Sequence, residues 1–320
     1  MAKDIKGEIN KQDKYKAIWL SHSSMGDYEK CPRLYYLHNI YKDKTTNRKI
    51  GIVSPYMSLG IAVHNVVEAL RVYKVDERKE KIANILSDFE IEWQKVTGKK
   101  GGFESDEQEA EFKARGIEML GNVIKDPKML LHKTIATSSY YDGDMLPNYY
   151  ISPEENIILC GNVDWIEYLD ETKSLRVVDF KTGRNEEKEE SMQLFIYKLL
   201  IEKLGSKWPV TSGAYWYFDN GLVVEKNIID DKKIDEITDK IIKTGIEIRD
   251  KRFEWSENAN YGRGGWQEKK DFVQNFKCLS TSAPCAACAE YEKVFAKDPS
   301  AEYMGVDMYG KDSYFINRNK

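Results

Sequence analysis

Cys160-Gly-Asn-Val-Asp164, Leu169-Asp-Glu-Thr-Lys-Ser174 and Val177-Val-Asp-Phe-Lys-Thr-Gly183 decide how this chain reads. The middle piece is a polar turn between two β-rich stretches, 156–169 and 175–181. With the turn centred between Glu171 and Thr172, a regular antiparallel ladder sets Asp164 opposite Asp179 and Asn162 opposite Lys181. Side chains alternate with period two, so Asp179 and Lys181 share one face with Asp164. Two carboxylates facing each other across a ladder repel. A divalent cation between them removes that penalty, and hard oxygen ligands at this spacing suit Mg²⁺ or Mn²⁺. Lys181 can then orient a water or stabilise charge on a phosphate. The competing reading is an exposed hairpin whose lysine neutralises the aspartates. The apolar Val177-Val178 flank argues instead for a central strand.

Outward from this hairpin, helical periodicity takes over on the N-terminal side. Ser23 or Ser24 can cap a helix through Tyr28, Cys31 and Leu34, with Pro32 at a break or in a first turn. Helices are expected over 56–73, with Val63, Val66, Val67 and Leu70 on one stripe, then over 77–96 and 107–124. Gly98-Lys-Lys-Gly-Gly102 reads as a mobile basic loop. Residues 133–140 read as a strand. After the acidic hairpin, 190–204 returns to helical period, and 211–219 and 222–229 form a hairpin around Asn220-Gly221. A helix over 232–249 follows, then an irregular stretch over 254–284 and a cysteine-bearing tail. The expected architecture is α/β, a mixed central sheet flanked by helices. It comprises a flexible tail (1–16) and a single domain (17–320) with a helical covering segment near 66–130, a core near 133–250 and the tail from 254.

The 320 residues are 41% hydrophobic and 32% charged, which fits a folded protein with a sizeable core. The net charge of −4, from 49 Lys+Arg against 53 Asp+Glu, excludes a bulk polycation that coats nucleic acid but not a local basic groove. The polar, lysine-rich start lacks the apolar region of a secretory signal, and no apolar run reaches the length of a membrane span. A cytoplasmic location is therefore expected. There the odd count of five cysteines points to thiol or metal chemistry rather than disulfides.

The ordered motifs resemble the RecB-like PD-(D/E)xK nucleases. Gly161-Asn-Val-Asp164 followed by Val178-Asp-Phe-Lys-Thr-Gly183 is similar to their core. Leu20-Ser-His-Ser-Ser-Met-Gly-Asp-Tyr-Glu-Lys-Cys-Pro-Arg33, Gly60-Ile-Ala-Val-His64, Gln193-Leu-Phe-Ile-Tyr197 and Cys285-Ala-Ala-Cys288 match further segments in the family's order. The last falls where AddB-type and CRISPR-adaptation nucleases carry iron–sulfur cysteines. The resemblance implies that His64, Asp164, Asp179 and the carbonyl of Phe180 bind the metal, and that Lys181 positions or activates the attacking water. It further implies that Gln193 and Tyr197, four apart on one helix face, contact DNA or order the site. Taken alone, His64 reads better as a satisfied core histidine, and Gln193 and Tyr197 can simply flank the Met192, Phe195, Ile196, Leu199 stripe; their joint appearance after Asp-Phe-Lys favours the functional reading.

Cys31, Cys278, Cys285 and Cys288 are the candidate ligands of a [4Fe–4S] cluster, with tetrahedral Zn²⁺ or buried free thiols as alternatives. Val294 stands where the family carries its last cysteine, and Cys278 offers a substitute from the other side. Cys160 reads as a small core residue. The implied activity is metal-dependent hydrolysis of DNA with a free end or single strand, in recombination, repair, phage replication or CRISPR adaptation, with protein partners of such an assembly possible. Lys99, Lys100, Arg184 and Lys188 are candidate phosphate contacts, equally readable as solvated charges. No phosphate-binding loop of a helicase is present. The rival readings are a non-catalytic DNA-binding or assembly subunit that keeps the fold, and a cluster-stabilised structural protein.

Overall fold

The computed structural model describes residues 11–135, 146–187, 191–259, 264–280 and 283–319. Strand β1 (Ile18–Leu20) leads into α1 (His22–Lys30). Ser21 caps α1, not Ser23 or Ser24: its Oγ accepts the Ser24 N–H, while the Ser24 Oγ accepts the Ser21 N–H, a reciprocal capping box. Pro32 takes the first position of α2 (Pro32–Tyr35), where its missing N–H costs nothing. After β2 (Ile50–Ile52), Ser54 and Pro55 open α3 (Pro55–Ala69). The helix expected over 77–96 is two, α4 (Val75–Ala83) and α5 (Ile85–Trp93), because Asn84 leaves helical geometry between them. Ser105 then caps α6 (Asp106–Lys125).

Strands β3 (Asn148–Ser152), β4 (Ile157–Cys160), β5 (Trp165–Leu169) and β6 (Ser174–Lys181) follow. The stretch 156–169 is thus not one strand. Its first half pairs with β1 and β3 in a separate sheet, and its second half pairs with β6. Helix α7 (Gln193–Lys203), β7 (Val210–Tyr217), β8 (Leu222–Asn227) and α8 (Asp231–Arg252) complete this half. The region 254–284 is less irregular than its composition suggests, since β9 (Phe253–Ser256) pairs antiparallel with β10 (Gly265–Glu268). Helix α9 (Ala286–Phe295) and the hairpin of β11 (Ala301–Val306) and β12 (Asp312–Ile316) end the chain, with β12 running parallel to β2. Of the strand expected over 133–140, Thr134 bridges to Glu167; residues 136–140 lie outside the described residues. No helix among the described residues is long and apolar enough to cross a membrane.

The mixed sheet β5-β6-β7-β8 carries the acidic hairpin, with β6 and β7 parallel and the outer pairs antiparallel. Alternation along β6 divides the core. Val178 and Phe180 join Trp165, Trp216 and Phe218 under α3, α5 and α6, whereas Val177 joins Tyr215, Tyr217 and Leu194 on the α7 side. Asp179 and Lys181, in phase with Val177, therefore point toward α7. Arg78 locks the helical cover. It is buried and donates to the carbonyls of Leu70, Tyr73, Leu130 and His132, and it stacks on Trp165 at 5.0 Å.

Candidate active site

The β5–β6 ladder runs from Leu169 with Ser174 to Trp165 with Val178, the register read from the sequence. It stops there, so Asp164 lies one residue beyond it, next to Asp179. The expected pairing of Asn162 with Lys181 does not form, because 161–164 turn away toward β4, where the Gly161 N–H donates to the Pro147 carbonyl. Asp164 is held by the Phe180 N–H, which donates to its Oδ2 at 2.9 Å.

Helix α3 brings the imidazole. Gly60 allows this approach: a Cβ there would sit 3.3 Å from Thr182 Oγ1, just past the end of β6. One turn on, His64 Nδ1 lies 3.2 Å from Glu68 Oε1 and 3.8 Å from Asp164 Oδ2. One ligand atom each from His64, Glu68 and Asp164 lie within 4.8 Å of one another. Burial and the facing charge of Asp179 push the Asp164 carboxyl up to about 8, with His64 opposing. Burial alone would lower the imidazole, but the Glu68 hydrogen bond and the Asp164 charge raise it to about 9. Arg71 ties Glu68 in place at 2.6 Å. Sequence reading missed Glu68, although its spacing of four from His64 on one helix face was the available signal.

Asp179 faces a different set of partners. Its Oδ1 accepts from the Tyr197 hydroxyl at 2.7 Å and from Gln193 Nε2, both on the first turns of α7. Its Oδ2 lies 2.8 Å from Lys181 Nζ, which also meets Gln193 Oε1 at 2.8 Å and Glu187 Oε1 at 2.9 Å. Burial would lower the Lys181 ammonium, but the Asp179 and Glu187 carboxylates outweigh it and hold its pKa well above the ordinary value. Lys181 is thus a cation with its three N–H donors engaged. His22, at the start of α1, feels the charges of Glu187, Lys181 and Asp179; burial comes first and lowers its pKa. His22 and Glu187 carry no local pattern, and only the folded chain brings them here.

A family model described as the PD-(D/E)XK nuclease superfamily matches residues 19–289, a span that takes in the acidic pair, the lysine and all the α3 and α7 residues above. The chain belongs to the PD-(D/E)XK nuclease superfamily. Nucleases of this superfamily use divalent metals, and the fold implies a DNA substrate. No curated protein matches the chain.

This PD-(D/E)XK chain adds a second cluster, and the structure brings its four predicted cysteines together. The sulfurs of Cys31, Cys278, Cys285 and Cys288 all lie within 4.8 Å of one another, and those of Cys31 and Cys288 are 3.7 Å apart. Cys31 immediately precedes α2 and Cys285 immediately precedes α9. The Cys278 thiol accepts the Cys285 N–H at 3.4 Å, and hydrogen bonds from the Cys285 and Ser280 backbones bring its pKa down to about 7. Burial and the neighbouring sulfurs push Cys288 far the other way. Four crowded thiols cannot all ionise without a cation among them, so this donor set fits a metal or cluster. Val294 is buried on α9 in the same core, and Cys278 supplies the fourth sulfur. Cys160 is outside the cluster, its thiol pushed up to about 11 by burial.

The candidate phosphate contacts scatter. Gly98–Gly101 is a packed 3₁₀ turn rather than a mobile loop. Gly102 has φ +84°, and a Cβ on it would lie 2.7 Å from the Ser54 backbone, so glycine is required by close packing. Lys99 pairs with Glu302 at 2.6 Å. Lys100 lines a groove beside α3, and Arg184 lines a larger one of about 800 Å³ with Tyr56 and Arg115. Lys188 lies outside the described residues.

Proposed function

We propose that this chain is a RecB-like deoxyribonuclease that hydrolyses phosphodiester bonds in DNA bearing a free end or a single-stranded stretch. The observation that carries this reading is the trio of His64, Glu68 and Asp164, half-buried apart from the buried Asp164, beside the Asp179–Lys181 pair. Two carboxylates and an imidazole, with Asp164 kept from ionising freely by burial and by Asp179, make a donor set that fits Mg²⁺ or Mn²⁺. His64, Glu68 and Asp164 would hold the ion, with Asp179 and the Phe180 carbonyl as further ligands. When bound, the ion supplies a Lewis acid for the phosphate and an acidified water.

The protein's own groups then divide the remaining work. Lys181 stays protonated, so it acts as a hydrogen-bond donor that aligns water or steadies phosphate charge rather than as a base. Tyr197 and Gln193 fix the Asp179 carboxylate, and Gln193 also fixes Lys181. Glu187 takes the third Lys181 donor and must give way when substrate arrives. Arg184 and Lys100 would meet phosphates. The four cysteines would hold a [4Fe–4S] cluster, or Zn²⁺ in its place, closing the first helices onto the last.

The test is cleavage of linear DNA with single-stranded ends. Cleavage should need Mg²⁺ or Mn²⁺, stop in EDTA and be lost in Asp179→Ala. Cleavage that survives thorough chelation, or full activity in the variant, would overturn the reading.

A further inference from the structure

The β11–β12 hairpin leans over α3 and encloses a groove of about 330 Å³. Met57, Ile61 and Asn65 line it from α3, and Val306, Met308 and Tyr309 from the hairpin turn. The turn is held by Asp307, whose Oδ1 accepts the N–H groups of Tyr309 at 2.9 Å and Lys311 at 2.8 Å. It presents Met308 and Tyr309 at 67% and 61% exposure, an apolar display that the fold itself does not use. Met57, Ile61, His64 and Glu68 are spaced four, three and four apart, so the groove and the metal trio share one face of α3. Tyr309 reports the same proximity: burial, then the charges of Asp307 and Glu68, raise its hydroxyl pKa.

The rim is basic. Lys95, Lys100 and Lys311 line the groove. Lys95 is paired with Glu92, whereas Lys100 and Lys311 make no ion pair among the described residues.

We propose that this groove is a subsite for the single-stranded arm of the substrate, with an unpaired base against Tyr309 and Met308 and its phosphates on Lys100 and Lys311. This rests on the nuclease reading above and specifies its substrate. Unpaired lysines call for a polyanion, while exposed aromatic and thioether faces call for bases free to stack. A groove this size admits one strand and not a duplex.

The test measures binding in EDTA, apart from cleavage. The probes are a fluorescein-labelled oligothymidylate of about twelve nucleotides and a blunt duplex. Met308→Ala/Tyr309→Ala should weaken oligothymidylate binding about ten-fold or more, as loss of a base stack does, and leave the blunt duplex within two-fold. Lys311→Glu, which keeps the apolar display, should weaken it similarly and flatten its salt dependence. Circular dichroism confirms folding; Met308 and Tyr309 are exposed, and Lys311 is half-buried. Unchanged oligothymidylate binding in both variants overturns the subsite, and so does equal loss for both probes or an effect confined to self-association. Wild-type protein that cleaves no DNA with Mn²⁺ would refute the nuclease reading, while selective loss of oligothymidylate binding would still support the groove.

Discussion

Removing the Asp164 charge should stabilise the metal-free protein. Asp164 ionises near 3.8 in an unfolded chain and near 8 when folded, because burial and Asp179 oppose its charge. Between those values the folded protein holds the extra proton, so stability falls as pH rises through that window. His64 adds to the trend: its folded value of about 9 exceeds the ordinary 6.5, so its contribution is complete below 6.5 and fades as pH climbs through 9. A displacement of about four units corresponds to at most ~6 kcal/mol at alkaline pH. Asp164→Asn keeps an oxygen for the Phe180 N–H but buries an amide and deprives His64 of its anion. The recovery should therefore be smaller, about 1–3 kcal/mol, or ~2–6 °C in Tm. The assay is thermal unfolding in EDTA from about pH 5 to 9, repeated with Mn²⁺. Wild-type protein should lose stability with rising pH and regain it with Mn²⁺, while Asp164→Asn should show a flatter slope and little metal response. A variant less stable than wild type in EDTA at about pH 8, or a wild type without a pH slope, would refute this electrostatic account.

Tyr197→Phe removes the 2.7 Å bond to Asp179 with little change of shape, and cleavage should fall about 10–100-fold while Tm holds. Arg78→Met strips four carbonyls, those of Leu70 and Leu130 buried, of their donor and should cost roughly 3 kcal/mol, read by urea unfolding, with no new pH dependence. Cys31→Ser should cut the bound iron or zinc measured by elemental analysis and expose both chain ends to protease, whereas Cys160→Ala should change neither.

What the sequence disclosed and what it hid follow a physical line. The β5–β6 register was legible because a short polar turn joins two alternating strands, and alternation fixes which side chains share a face. The cysteine quartet was legible because a two-residue gap between thiols is rarely neutral in meaning. The split at Gly161 was hidden, since composition does not say which sheet a strand joins. The glycines of 98–102 suggested flexibility, yet Gly102 is there because Ser54 lies against it, a contact between segments far apart in sequence. His22, Glu187 and the hairpin over α3 likewise depend on packing between distant segments. Glu68 sits at helical spacing from His64, but its place at the site shows only once α3 is set against Asp164.

The central claim is that Lys181, held by Asp179 and Gln193, serves metal-dependent cleavage at the His64–Glu68–Asp164 trio. Single-turnover cleavage of an end-labelled overhang substrate in saturating Mn²⁺ tests it most directly, comparing wild type with Lys181→Met. The account predicts a fall of about 10²–10³-fold with Mn²⁺ binding retained. A Lys181→Met protein that cleaves at the wild-type rate would contradict it.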